Sequence, residues 1–174
     1  MNVQIKVINR QLSEYMWRAE RTLATAESCT AGQVSAALAS LPGASSYFRG
    51  GVVSYAEDLK TSLLGVDEEL LKEKGAVSEE VAIAMAEGAI KNLNADYAIS
   101  VTGYAGPSNG PEAPVGTIWI AVGKSGDIET RKLSGDDGRE LNLQRATMTA
   151  LLMLLERMQR DFPLEPEAEE QLQQ

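Results

Sequence analysis

The sequence predicts an α/β fold: a three-layer αβα sandwich whose mostly parallel sheet carries an antiparallel hairpin. Three observations predict it. Short apolar runs with strand character alternate with helix-period segments through the first two thirds of the chain, the pattern of a parallel sheet covered on both faces. Two consecutive strand-like runs, 115–123 and 127–135, flank a tight Lys124–Gly126 turn and read as a hairpin. At 174 residues, with 44% hydrophobic and 24% charged content, the chain has the size and composition of one globular domain. There is no internal repeat and no second-domain linker. The reading is a single domain over 1–160 and an acidic tail over 161–174 that is expected to be disordered.

The elements follow in order. Over 5–20, Ile8, Leu12, Tyr15, Met16 and Ala19 keep the three-to-four spacing of one apolar helix face. Residues 22–26 (TLATA) read as a short strand. Residues 31–41 read as a small-residue helix stopped by Pro42-Gly43. A strand at 50–56 is entered through two glycines, and a short helix over 57–65 ends at Gly65. Ser78 caps a helix over 79–93, with Glu79 and Glu80 in its first turn. Residues 96–103 form the clearest buried strand. The glycine- and proline-rich loop that follows, 103–116, is long for a compact domain, which marks it as functional or disordered. Residues 139–160 close the domain as an amphipathic helix. Its Leu- and Met-rich face and the apolar first helix are the surfaces on which a homo-oligomer would form.

Composition excludes several functions. The net charge of −9 argues against nucleic acid and against an anionic membrane face as partners. No apolar run approaches the roughly 18 residues of a membrane span, and the N-terminus lacks a signal-peptide core. A lone cysteine, Cys29, excludes an intrachain disulfide; these features predict a cytoplasmic protein. There is no histidine, which removes the Ser-His-Asp triad, the Cys-His pair and the HExxH zinc site. No metal or other cofactor is expected. Any acid–base chemistry falls to Asp, Glu, Lys, Tyr or Cys29.

In such folds ligands bind beyond the carboxyl ends of the strands. That rule gathers the turn at 27–32, the segment Tyr55–Lys60 and the loop from Thr102. In ATAESCTAGQ, Ser28 sits between strand and helix, where backbone amides and the positive end of a helix dipole collect. The turn can bind a phosphate or an oxyanion, or Ser28 or Thr30 simply caps the helix. Lys60 is either a surface lysine or a general base opposite Ser28. For a free lysine the neutral amine costs about 4.6 kcal/mol at pH 7, so burial or a neighbouring cation must lower its pKa. Arg139, in GDDGR, either grips a phosphate or is a solvated helix-start residue. Cys29 reads as a small buried hydrophobe, and Asp136 and Asp137 as turn residues. The loop glycines at 103, 106 and 110 lack the GxGxxG and Walker patterns.

Taken together and in order, TAESCTAG, SSYFRGGVVSYAEDLK, GAVSEEVAIAMAEGA, ADYAISVTGYAGP with PVGTIWIAV, and GDDGR resemble the C-terminal domain of the CinA family, also found as a stand-alone nicotinamide-nucleotide amidase. The resemblance runs from about residue 5 to 158. It implies deamidation of nicotinamide mononucleotide to nicotinate mononucleotide and ammonia, without metal. By motif, Ser28 is implied as nucleophile and Lys60 as its base; Thr30, Gly32, Ser45, Tyr55, Thr102, Gly103 and Arg139 are implied to bind the substrate. The sequence departs from the family pattern at four places. Ala31-Gly32 replaces a double glycine, Tyr104 replaces a smaller aliphatic, GDR is spread into GDDGR, and Leu143 stands where a second arginine is common. The first restricts backbone approach, the second narrows the pocket, and the third is expected to displace Arg139. Two other readings remain: a catalytically silent nucleotide binder, and a scaffold linked to DNA uptake or damage, which the acidic charge disfavours. The nucleotide pyrophosphatase activity of full-length CinA proteins is not carried over.

Overall fold

The computed structural model describes residues 3–108 and 113–163. The chain runs α1 (Val3–Ala19), β1 (Leu23–Glu27), α2 (Gln33–Ala39), a single 3-10 turn at Ala44–Ser46, β2 (Phe48–Val53), α3 (Asp58–Leu64), α4 (Glu68–Lys74), α5 (Glu79–Leu93), β3 (Tyr97–Gly103), β4 (Ile118–Lys124), β5 (Asp127–Leu133) and α6 (Arg139–Asp161). One sheet of order β2-β1-β3-β4-β5 results. The first three strands pair in parallel, and β4 and β5 add the antiparallel hairpin. The predicted α/β sandwich is the observed fold. The tail from 164 and loop residues 109–112 lie outside the described residues.

Side chains on the two faces of each strand divide the core. Tyr97, Ile99 and Val101 of β3, with Leu23, Ile118 and Ile120, pack under α1, α2 and α6. The other face presents small residues, Ala24, Ala26, Ala98 and Ala121, and α5 lies across it. Small side chains let that helix sit close to the sheet. The same closeness recurs between α5 and α3. A methyl placed on Gly88 would stand 1.9 Å from the Leu64 carbonyl oxygen, so only glycine admits α3 at this distance. This contact sets the height of α3 above the sheet, and α3 carries Lys60.

Four elements differ from the expectation. Strand β2 runs Phe48–Val53 rather than 50–56. Helix α2 begins at Gln33 rather than 31, because Ala31 (φ 49°) and Gly32 (φ 97°) are left-handed and turn the chain first. Strand β4 begins at Ile118 rather than 115, after a turn closed by Thr117 N–H on Pro114 O. Helix α4 was not anticipated. Asp67 caps it by accepting from the amides of Glu69 and Leu70 at 2.7 and 3.3 Å. The Leu- and Met-rich face of α6 is spent inside the protomer, where Leu151, Met153, Leu154, Leu155 and Met158 are buried. The exposed apolar side chains of α1 are Val3, Val7 and Trp17, which share one helix face. Among the described residues, no helix is long and apolar enough to cross a membrane.

Candidate active site

The three parallel strands deliver their carboxyl ends to one edge. There β1 ends at Glu27 and passes to Ser28, β2 passes to Ser54, and β3 supplies Thr102 and Gly103. Between them opens a hollow of about 420 Å³, lined by residues that include Ser28, Cys29, Tyr55, Lys60, Thr102 and Arg139.

Lys60 is in the first turn of α3, yet its side chain is only 2% exposed. The chain bends back under the strand ends. Its amine Nζ lies 3.2 Å from Ser28 Oγ and 3.0 Å from the Ser54 carbonyl oxygen. It forms no ion pair among the described residues. A buried ammonium without a counter-ion is poorly solvated, so burial lowers the Lys60 pKa; Glu57, and more weakly Cys29, push it the other way. A neutral amine has a lone pair. With one N–H given to Ser54 O, that lone pair can accept the Ser28 hydroxyl proton. Ser28 itself is 9% exposed, at the floor of the hollow. The neighbouring Cys29 thiol is pushed up to about 12, first by burial, while the amides of Cys29 and Thr30 and the charges of Arg139 and Lys60 pull it down. Cys29 is therefore a thiol at neutral pH, and the hydroxyl that stands beside the Lys60 amine is that of Ser28.

The start of α2 departs from the expectation. The amides of Gly32, Val34 and Ser35 are not turned to the hollow; they donate to the buried carboxylate of Glu27 at 3.0, 3.0 and 2.8 Å. The Thr30 hydroxyl donates to it as well, at 2.7 Å. Neither Ser28 nor Thr30 caps the helix, and this helix start does not offer a free phosphate cradle. The Thr30 hydroxyl and the Gly32 amide accordingly serve the turn, and neither residue is on the hollow's lining.

Arg139, the first residue of α6, does reach the hollow despite the longer GDDGR turn. Its guanidinium donates to Gly106 O at 2.7 Å and to the Tyr55 hydroxyl at 3.2 Å. Tyr55 is 57% exposed, a rim residue. Thr102 lines the hollow with its hydroxyl committed to Ala76 O at 2.7 Å, and Gly103 and Tyr104 follow it along the wall. Ser45 is not brought here. It lines a separate surface hollow of about 390 Å³ with Glu14, Trp17 and Pro42. Leu143, at the expected second-arginine position, is buried in the core. Nearby Arg145 is committed to Asp137 and to the Gly135 carbonyl.

Sequence reasoning missed three residues. Glu27 was visible only as an acid in the opening turn. Glu57, on the lining, sits within SSYFRGGVVSYAEDLK but was given no role there. Asn142 is fully buried; its amide donates to Ala105 O and Asp136, and its carbonyl accepts from the Asp137 amide, tying the loop after β3 to the GDDGR turn. A lone buried Asn leaves no signal in sequence.

With this geometry in view, the relatives are informative. The CinA C-terminal domain matches residues 5–158. A CinA-like protein of Gloeobacter violaceus is 49% identical over 142 residues, 79% of this chain and 33% of the relative. One from Thermotoga maritima is 48% identical over 134 residues, 76% and 32%. This chain thus spans about a third of the length of these curated relatives. Among solved structures, a competence/damage-inducible protein from Agrobacterium tumefaciens superposes with a TM-score of 0.86 at 34% identity, covering 90% of this chain and 96% of that one. A CinA superfamily protein from Escherichia coli gives 0.84 at 35% identity, covering 87% and 88%. The chain belongs to the CinA C-terminal domain family.

Proposed function

We propose that this domain is a serine–lysine amidohydrolase that deamidates nicotinamide mononucleotide to nicotinate mononucleotide and ammonia. One observation carries the reading: a buried lysine amine, without an ion-pair partner among the described residues, 3.2 Å from a serine hydroxyl at the floor of a hollow. Ser28 Oγ attacks the carboxamide carbon, and its proton passes to Lys60 Nζ. The carbonyl oxygen becomes an oxyanion against the amides of Cys29 and Thr30, a kind of contact typically worth about 3 kcal/mol per donor. Lys60 returns the proton to the leaving nitrogen, and ammonia departs from the acyl-enzyme. Water then attacks the ester carbon while Lys60 takes a proton from it. Collapse frees the carboxylate, and Ser28 recovers its proton. The substrate's anionic group meets Arg139, with Tyr55 beside it.

The test is ammonia release from nicotinamide mononucleotide by wild type, Ser28→Ala and Lys60→Ala. Each variant is expected to lose about 10³-fold or more in kcat. Full activity in either removes that residue from its role. A nucleotide binder without turnover is a second reading, favoured by one feature: the Arg139 guanidinium already holds Gly106 O and the Tyr55 hydroxyl, as a docking platform would. Tight nucleotide binding by wild type without ammonia release selects it. In either case the exposed Val3, Val7 and Trp17 of α1 are the face we assign to self-association, checked by the molar mass from light scattering of wild type against Trp17→Glu.

A further inference from the structure

Glu27 is a buried acid that the steps above leave unused. It closes β1, one residue before the nucleophile, and is fully buried. No cation pairs with it among the described residues. Five donors from the following turn and helix close on its carboxylate. Oε2 accepts from Thr30 Oγ1 at 2.7 Å and from the amides of Gly32 and Val34 at 3.0 Å each. Oε1 accepts from the amide and hydroxyl of Ser35 at 2.8 and 2.6 Å. Ser35 Oγ is in turn 2.7 Å from Thr25 Oγ1. Gly51 of β2 makes room for this knot, since a methyl there would stand 2.1 Å from Thr25 Oγ1 and 2.5 Å from Ser35 Oγ.

Both reacting groups hang on this residue. Ser28 is its covalent neighbour. The Glu27 carbonyl accepts the Ser54 amide at 2.8 Å, and the Ser54 carbonyl accepts from Lys60 Nζ at 3.0 Å. Between Ser28 and α2 the chain takes two left-handed residues in succession, Ala31 and Gly32. Such a turn is costly for alanine and stays in place only when its surroundings hold it. The carboxylate supplies that hold and draws the Gly32, Val34 and Ser35 amides inward. The amides of Cys29 and Thr30 lie close enough to the Cys29 sulfur to lower its pKa, and Cys29, next to Ser28, is on the hollow's lining.

We propose that Glu27 is the positioning residue of this site: a buried carboxylate around which the nucleophile turn folds, so that the Cys29 and Thr30 amides are presented to the reacting carbonyl oxygen. The proposal rests on the serine–lysine reading above. It separates two kinds of amide in one turn, those spent on the protein's own carboxylate and those left for the substrate.

Glu27→Gln tests it. The carboxamide keeps the shape but turns an NH2 group toward donors. With wild type active on nicotinamide mononucleotide, kcat is expected to fall about 10²-fold, the loss typical of a removed oxyanion donor. KM, and the Kd measured calorimetrically in a Ser28→Ala background, are expected to move less than about threefold. Unchanged kcat, or a loss of binding parallel to the loss of kcat, overturns the proposal. Ser35→Ala removes a single hydroxyl donor and guards against a Glu27→Gln protein that does not fold; it is expected to lower kcat about threefold to tenfold at constant KM, and wild-type kcat counts against the proposal. Amide hydrogen exchange gives a readout independent of turnover. Gly32, Val34 and Ser35 are expected to exchange at least tenfold faster in either variant, and equal protection overturns the hold of Glu27 on the turn. A wild type that releases no ammonia overturns the hydrolase reading and the catalytic part of this proposal with it, whereas activity in wild type and Glu27→Gln alike sinks the positioning role alone.

Discussion

Replacing Lys60 by methionine is expected to abolish hydrolysis and to stabilise the protein. The side chain is 2% exposed, has no ion-pair partner and makes two hydrogen bonds, to Ser28 Oγ and Ser54 O. Methionine fills the same volume without the amine. Losing the two bonds costs about 1 kcal/mol each. Against this stands removal of a desolvated cation, whose effective penalty in proteins is several kcal/mol. The balance is a gain of roughly 1–3 kcal/mol near neutral pH, or about 2–4 °C in Tm per kcal/mol at this chain length. The pH dependence carries the sign. Burial lowers the folded-state pKa of Lys60 below its ordinary value of 10.5. Between the two pKa values the unfolded chain binds more protons, so wild-type stability rises with pH across that window. Below the folded pKa the penalty is present in full. The advantage of Lys60→Met is therefore largest at low pH and shrinks toward pH 10.5. Thermal denaturation of both proteins, followed by circular dichroism from pH 6 to 9.5, measures it. A variant no more stable than wild type at pH 6, with parallel pH profiles, would mean a well-solvated ammonium and no neutral base beside Ser28.

Other expectations follow from single contacts. Glu57→Gln removes a charge that raises the Lys60 pKa, so the acid limb of the rate profile moves to lower pH; Glu57 is exposed, and the rate gain at low pH stays within about fivefold. Ala31→Gly relieves a left-handed alanine (φ 49°) and is expected to add up to about 1 kcal/mol in denaturant unfolding, with kcat unchanged. Gly88→Ala drives a methyl to 1.9 Å from the Leu64 carbonyl oxygen, must push α3 away, and is expected to cost about 3 kcal/mol together with a loss of kcat through Lys60. Arg139→Gln is expected to raise KM for the nucleotide more than tenfold while kcat changes less than threefold.

The fold was largely legible because its signals are local. Strand β3 is an apolar run, Ser78 announces α5, and the alternation of periods forces a covered sheet. Helix α4 escaped because seven residues with one buried side chain, Leu71, are too short to display a period. The pairing of Ser28 with Lys60 was legible through ordered motifs, not through spacing, since 32 residues separate them. Glu27 and Asn142 were not legible in their roles. Each is a buried polar side chain whose partners lie on separate segments, and hydrophobic patterning records only which side of an element faces inward. Ser45 shows the opposite failure: a motif position that this chain folds onto another surface.

The separation of binding from chemistry follows from where charge is still available. Three amides at the start of α2 are consumed by Glu27. Leu143 points into the core, and Arg145 is held by Asp137 and Gly135. Lys60 is most useful when uncharged. Among the hollow's lining residues, Arg139 is then the cation left for an anionic group. It projects from α6, whereas Ser28 follows the end of β1 and Lys60 lies on α3, and the buried amide of Asn142 fixes the turn and loop that carry its surroundings. Charge recognition and nucleophilic attack thus depend on different elements meeting over one sheet edge. Under the proposed hydrolase reading a substrate would span them, with a carboxamide at Ser28 and an anion at Arg139, and this two-point demand would select a nucleotide amide over a free pyridine amide.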